Sequence, residues 1–241
     1  MKKSFIPHSL LLVTMLALLA SASANAKDYL IEVVLFETVA ARNASTGGLY
    51  YPKLRSSIRL GTEQATAAQF LSVEQGLTLA ENAATIAASE RYRLLRHLSW
   101  RQPGLDAENA IAIRVSLGDT TTLYVPDELD EYEEFIPASA QPSEGRNSTV
   151  TTSTINGTIK VRLGRFLHMD TLLVFTDTQT QQSFRLAQSR KMRSGELHYI
   201  DNSRFGLLTR ITPLEDSVSA GASDSATDSS SNQNPVSPTV E

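Results

Sequence analysis

The chain has 241 residues, among them 22 Lys or Arg, 26 Asp or Glu and no cysteine, for a net charge of −4. The missing thiols exclude thiolate catalysis, cysteine-ligated zinc and disulfide scaffolding, so stability must come from a packed core. The charge is uneven: Asp127, Glu128, Asp130, Glu131, Glu133 and Glu134 form one acidic run, and Glu215, Asp216, Asp224, Asp228 and Glu241 mark an acidic tail. Neither stretch contains Lys or Arg, and the remaining body is net basic. A basic body suits an anionic partner such as a cell-wall polymer, a phospholipid headgroup or an acidic protein face.

Residues 1–26 read as an export signal. Lys2 and Lys3 form a positive start, Leu10 to Leu19 an apolar stretch too short to span a bilayer, and Ala24-Asn25-Ala26 a cleavage site. The mature chain is expected to begin at Lys27, exported and soluble. No cysteine follows the cut, so lipid attachment at that point is not available.

Residues 27–214 are long enough for one packed domain. Tyr29 to Phe36 reads as a strand covered on both sides, because apolar residues occupy both faces around Glu32. Ser72-x-x-Gln75 has the form of a capping box, opening a helix with Val73, Leu77, Ala80, Ala84 and Ala87 on its apolar side. Tyr92 to Arg101 alternates, with Tyr92, Leu94, Leu98 and Trp100 on one face and Arg93, His97 and Arg101 on the other. Trp100 reads as a core residue in preference to a sugar-stacking platform, given Leu94 and Leu98 beside it. Ile111 to Leu117 is the next strand.

Residues 126–154 begin with the acidic run and continue through Pro, Ser, Gly and Thr, the composition of a long polar loop. Ile159, Val161 and Leu163 alternate with Lys160 and Arg162, and Gly164 marks an irregularity before Phe166. His168-Met169-Asp170 fits a short turn into a strand from Leu172 to Phe175. Phe184 to Met192 and Phe205 to Ile211 complete the strands. Residues 215–241 are poor in apolar side chains and read as disordered. Several strands with one main helix predict an α+β domain on a mainly antiparallel sheet.

Chemistry is sparse. The mature chain has three histidines: His97, His168 and His198. His168-x-Asp170 and Glu196-x-His198 offer zinc-compatible groups, but neither has metalloprotease spacing or an evident third ligand. There is no Gly-x-Ser-x-Gly elbow, phosphate-binding loop or dinucleotide fingerprint. No metal or other cofactor is expected. The candidate ligand-binding residues are cationic: Arg190, Lys191 and Arg193, then Lys160 and Arg162, then Arg93 and Arg101. If the sheet brings the strands of Lys160 and Lys191 together, these side chains can pair with carboxylates.

Three segments carry a resemblance: YRLLRHLSWRQPG (92–104), GTIKVRLGRFLHMDTLL (157–173) and RKMRSGELHYIDNSRFGLLTRITPL (190–214). With YLIEVVLFE near the expected mature terminus, they resemble the CsiV family of exported, peptidoglycan-binding proteins of Gram-negative bacteria. The resemblance implies a non-catalytic periplasmic protein that binds peptidoglycan and supports cell shape. It further implies assistance to a class A penicillin-binding protein together with that synthase's outer-membrane lipoprotein activator. It brings no catalytic or established binding residues. Two other readings stay open: a peptidoglycan hydrolase or amidase using His168 or His198, and a protein adaptor that never touches glycan.

Overall fold

The computed structural model describes residues 27–42, 48–50, 56–126, 135–136, 147–180 and 182–215. The expected export signal over residues 1–26, the acidic run Asp127–Glu134 and the tail beyond Glu215 lie outside the described residues. No helix among the described residues is long and apolar enough to cross a membrane.

The architecture is mostly β, with 58% strand against 10% helix, and this corrects the α+β expectation. In chain order the strands are β1 (Asp28–Thr38), β2 (Leu49–Tyr50), β3 (Ser57–Ile58), β4 (Leu71–Ser72), β5 (Tyr92–Pro103) and β6 (Ala112–Pro126). They continue as β7 (Phe135–Ile136), β8 (Asn147–Leu163), β9 (Leu167–Thr176), β10 (Ser183–Met192), β11 (His198–Asp201) and β12 (Phe205–Pro213). The helices are short: α1 (Glu63–Ala67) and α2 (Ala80–Ala87), besides a 3-10 turn at Val39–Arg42.

Two five-stranded sheets carry the fold. The first has the order β11-β12-β1-β5-β4 and the second β10-β9-β8-β6-β3, while β2 and β7 form a separate pair. Both sheets turn their apolar faces to one core. Tyr29, Ile31, Val33, Leu35, Trp100 and Leu207 from the first meet Ile113, Ile159, Val161, Met169, Leu173 and Phe175 from the second. Strand β1 is central and covered on both sides, as its composition predicts. Its opposite face places Val34 and Phe36 under Leu79, Ala83 and Ile86 of the α2 segment.

That helix is not opened by Ser72, which sits in β4. Its N-cap residue Leu79 makes no side-chain cap. The capping group comes from the sheet instead: the buried Glu32 carboxylate accepts from the Thr78 N–H (3.0 Å), the Thr78 hydroxyl (2.6 Å) and the Leu79 N–H (3.0 Å). An anion at a helix N-terminus satisfies amides that have no intrahelical partner and complements the helix dipole. The apolar stripe shifts accordingly, so Ala80, Ala84 and Ala87 are exposed while Ala83 and Ile86 are buried.

The strand Tyr92 to Arg101 also departs from its simple alternation. The β1–β5 register slips between Leu35 and Phe36, where a bulge in β5 changes the phase. Leu98 and Trp100 therefore join the core between the sheets, whereas Tyr92 and Leu94 pack under α2. Trp100 is fully buried and its indole N–H donates to Gln102 Oε1 at 2.8 Å. His168 to Asp170 is not a turn but part of β9. Residues 147–154, read above as loop, belong to β8 and pair with the far end of β6.

A buried ionic cluster joins the sheets at one end. Arg204, in the β11–β12 connection, is 2% exposed and reaches Glu37 of β1 and Asp177 after β9, each at 3.0 Å. Arg93 of β5 bonds Glu37 through Nε at 2.6 Å. The Arg204 guanidinium also lies 5.1 Å from the Phe175 ring centre and 5.6 Å from that of Phe184.

Candidate functional site

The outer face of the second sheet is where the cationic candidates converge. Alternation in β8 sends Ile159 and Val161 into the core and leaves Lys160 and Arg162 outside. In β9, Met169 is buried while His168 and Asp170 point outward, and in β10 Leu186 and Met192 are buried while Ser189 and Lys191 are exposed. The register then aligns two rungs across three strands. Lys160 stands opposite Asp170, which stands opposite Ser189; Arg162 stands opposite His168, which stands opposite Lys191.

Asp170 is the organising acid of this face. Arg162 Nε donates to its Oδ2 at 3.0 Å, the Ser189 hydroxyl donates to its Oδ1 at 2.6 Å, and Lys160 Nζ lies 3.9 Å from Oδ2. Partial burial pushes the Asp170 pKa up, but the Ser189 hydrogen bond, Arg162 and Lys160 together outweigh it and hold the carboxyl below its ordinary value. The acid therefore stays ionised and competes for the cations around it.

The β8–β9 turn extends the face. Phe166, 39% exposed, lies under Lys191, whose Nζ is 3.3 Å from the ring centre, and the Arg165 guanidinium is 5.5 Å from the same ring. Cation–π contacts of this exposed kind contribute about 0.5–1 kcal/mol each. The result is Arg165 and Lys191 against a partly exposed aromatic ring, on the same face as Lys160 and Arg162 at Asp170. Arg165 and Phe166 were not among the sequence candidates. The signal for them was available, since Gly164-Arg165-Phe166 interrupts two alternating strands as a hairpin tip does.

The remaining candidates lie elsewhere. Arg190 faces the other side of β10, opposite Met169, and is exposed at that edge. Arg193 follows β10; its backbone N–H donates to His198 Nε2 at 3.4 Å and its guanidinium lies 3.5 Å from Glu196. Arg93 and Arg101 are on the first sheet and do not share a face, because the β5 bulge separates them. Arg93 is engaged with Glu37, and Arg101 bonds Asp28 through Nε at 2.6 Å.

His168 Nδ1 is 3.1 Å from the Phe166 carbonyl oxygen, and the Ser189 hydroxyl is taken by Asp170. Among the described residues no Ser or Thr hydroxyl bonds to a histidine, and no three His, Asp or Glu side chains gather at metal-ligand range. What the face offers is a set of fixed cations and a ring, the chemistry of carboxylate and sugar contact.

No curated protein and no solved structure matches the chain. The family model described as "Peptidoglycan-binding protein, CsiV" matches residues 8–214 of the 241. The chain belongs to the CsiV family.

Proposed function

We propose that this protein is a non-catalytic periplasmic peptidoglycan binder whose contact surface is the outer face of β8, β9 and β10. In this reading Lys160, Arg162, Arg165 and Lys191 pair with stem-peptide carboxylates, and Phe166 packs against sugar or peptide CH groups. The observation that carries it is the pair of cross-strand rungs, which place Lys160, Arg162 and Lys191 about one acid on a solvent-facing sheet. Family membership supports the ligand. The mature chain begins at Lys27 and assists a class A penicillin-binding protein together with its outer-membrane lipoprotein activator.

Exposed charge pairs contribute about 1 kcal/mol or less each, so affinity has to come from several acting together and must fall as salt rises. Purified mature protein incubated with sacculi tests both halves of the proposal, with muropeptides analysed afterwards. Co-sedimentation with an unchanged muropeptide profile is the expected outcome. Release of soluble fragments would replace binding with hydrolysis, and no co-sedimentation in the absence of partner proteins would leave an adaptor.

A further inference from the structure

Away from that face, a groove runs between β5 and β6 along the open side of the sandwich. It has two lobes of about 450 and about 350 Å³, with Leu117 lining both. The larger lobe ends at the Glu37–Arg204 cluster and its cations are already paired. The smaller differs: Arg59, Arg96 and Arg114 line it, and none of the three has a side-chain hydrogen bond or ion pair among the described residues. Arg114 Nε is buried and without a partner. Glu74 is the single carboxylate among the lining residues. Guanidinium groups remain protonated, so three of them on one groove make a standing demand for anions.

The wall of this groove is also an unfinished sheet edge. Strand β4 pairs with β5 only at Leu71↔Arg101 and Ser72↔Trp100, followed by the Val73 N–H donating to the Ser99 carbonyl at 3.1 Å. The chain then leaves the edge. Beside residues 92–98 of β5 the lane that β4 began has no strand among the described residues. His97, two residues before Ser99, directs its backbone N–H and C=O into that same lane. Exposed edges of this length are normally shortened, covered or interrupted, because they template another strand.

We infer that this lane is a docking site for an extended acidic segment of a partner protein, which continues β4 along β5 and places alternate carboxylates against Arg59, Arg96 and Arg114. Main-chain hydrogen bonds supply the affinity and the arginines select the charge, the division of labour of strand addition. An open main-chain edge favours a peptide backbone over a glycan, whose rings cannot complete a β-ladder. The inference is separate from the peptidoglycan surface on β8–β10 and does not depend on it.

The probe is an acetylated octapeptide of alternating Glu and Thr, added to the mature protein and followed by residue-resolved amide hydrogen exchange. Exchange should slow at His97 and its neighbours in β5, with β9 unaffected, and an alternating Lys-Thr octapeptide should have no effect. Arg96→Glu with Arg114→Glu should weaken the acidic peptide about tenfold or more, because two pairings are lost and two repulsions added. Should that variant misfold by circular dichroism, Arg96→Gln with Arg114→Gln gives the same reading with a smaller loss. Unslowed exchange at His97, equal binding by the variants or equal binding of the Lys-Thr peptide overturns the inference. So does protection of β5 by sacculi in place of the peptide, which would make the groove a peptidoglycan site. Sacculus binding by Arg96→Glu alone reports separately on the β8–β10 face and should equal that of the parent.

Discussion

Asp170 shows how one side chain tunes the proposed surface. It is the acid that Arg162, Lys160 and Ser189 share, so Asp170→Asn leaves the cations in place and removes their internal competitor. Sacculus binding by this variant should strengthen at low salt and converge with the parent at high salt, where the added charge is screened. Its folding should change with pH as well. A carboxyl whose folded pKa lies below its unfolded value, 3.8 here, gives stability that is present above that value and lost as pH falls through the folded one. Thermal unfolding should therefore show the parent ahead of Asp170→Asn near neutrality and the gap closing in acid. A gap that widened in acid would contradict the assigned direction. Arg204 is the opposite kind of residue, buried for structure. Arg204→Met takes one of its cations from the Glu37 carboxylate, which is 0% exposed and keeps Arg93, so the loss should fall toward the lower end of the about 3–5 kcal/mol of a broken buried pair. Denaturant unfolding should show that loss for Arg204→Met, and a clearly smaller one when Glu37→Gln is added. Equal losses would mean that the pair is not coupled.

Among the elements, β8 depends on a close approach at Gly157. A Cβ there would lie 2.0 Å from the Leu172 carbonyl oxygen and 2.7 Å from Leu173 Cα, both backbone of the neighbouring strand. Backbone cannot swing aside as a flexible side chain does, so Gly157→Ala should cost about 3 kcal/mol or more and loosen the rungs above it, read as lost sacculus binding together with a lowered unfolding midpoint. Helix α2 is tied more lightly. Glu32→Gln keeps the shape of the cap and removes its charge, for an expected loss of about 1–2 kcal/mol in the same measurement. The same elements show what the sequence made legible. Strand β1 was readable because both its faces are apolar, and Trp100 because its neighbours are. The capping box misled because the real cap, Glu32, lies 46 residues from Thr78, beyond any local pattern. The β5 bulge was equally hidden, since one inserted residue changes the face of Arg93 and Arg101 without a compositional mark.

At the scale of the whole molecule, the α+β expectation fails because a polar composition does not make the backbone irregular. Thr120, Thr121 and Thr122 pair with Ser153, Thr152 and Thr151 in a ladder whose members are polar but largely β-branched, and threonine fits a pleated, half-exposed strand. The candidate surface is legible in part: Lys160 and Arg162 stand out by alternation, and Lys191 by its basic cluster with Arg190 and Arg193. Their convergence required β9 between them, and Arg165 and Phe166 required the turn geometry. The central claim is that these cations, and not the basic residues at large, hold peptidoglycan. Co-sedimentation of the Lys160→Glu, Arg162→Glu, Lys191→Glu variant with purified sacculi over a salt series tests it most directly. The account predicts a folded variant that has lost binding at low salt, alongside a parent whose binding declines steadily as salt rises. A folded variant that binds like the parent, with the same salt response, would contradict it.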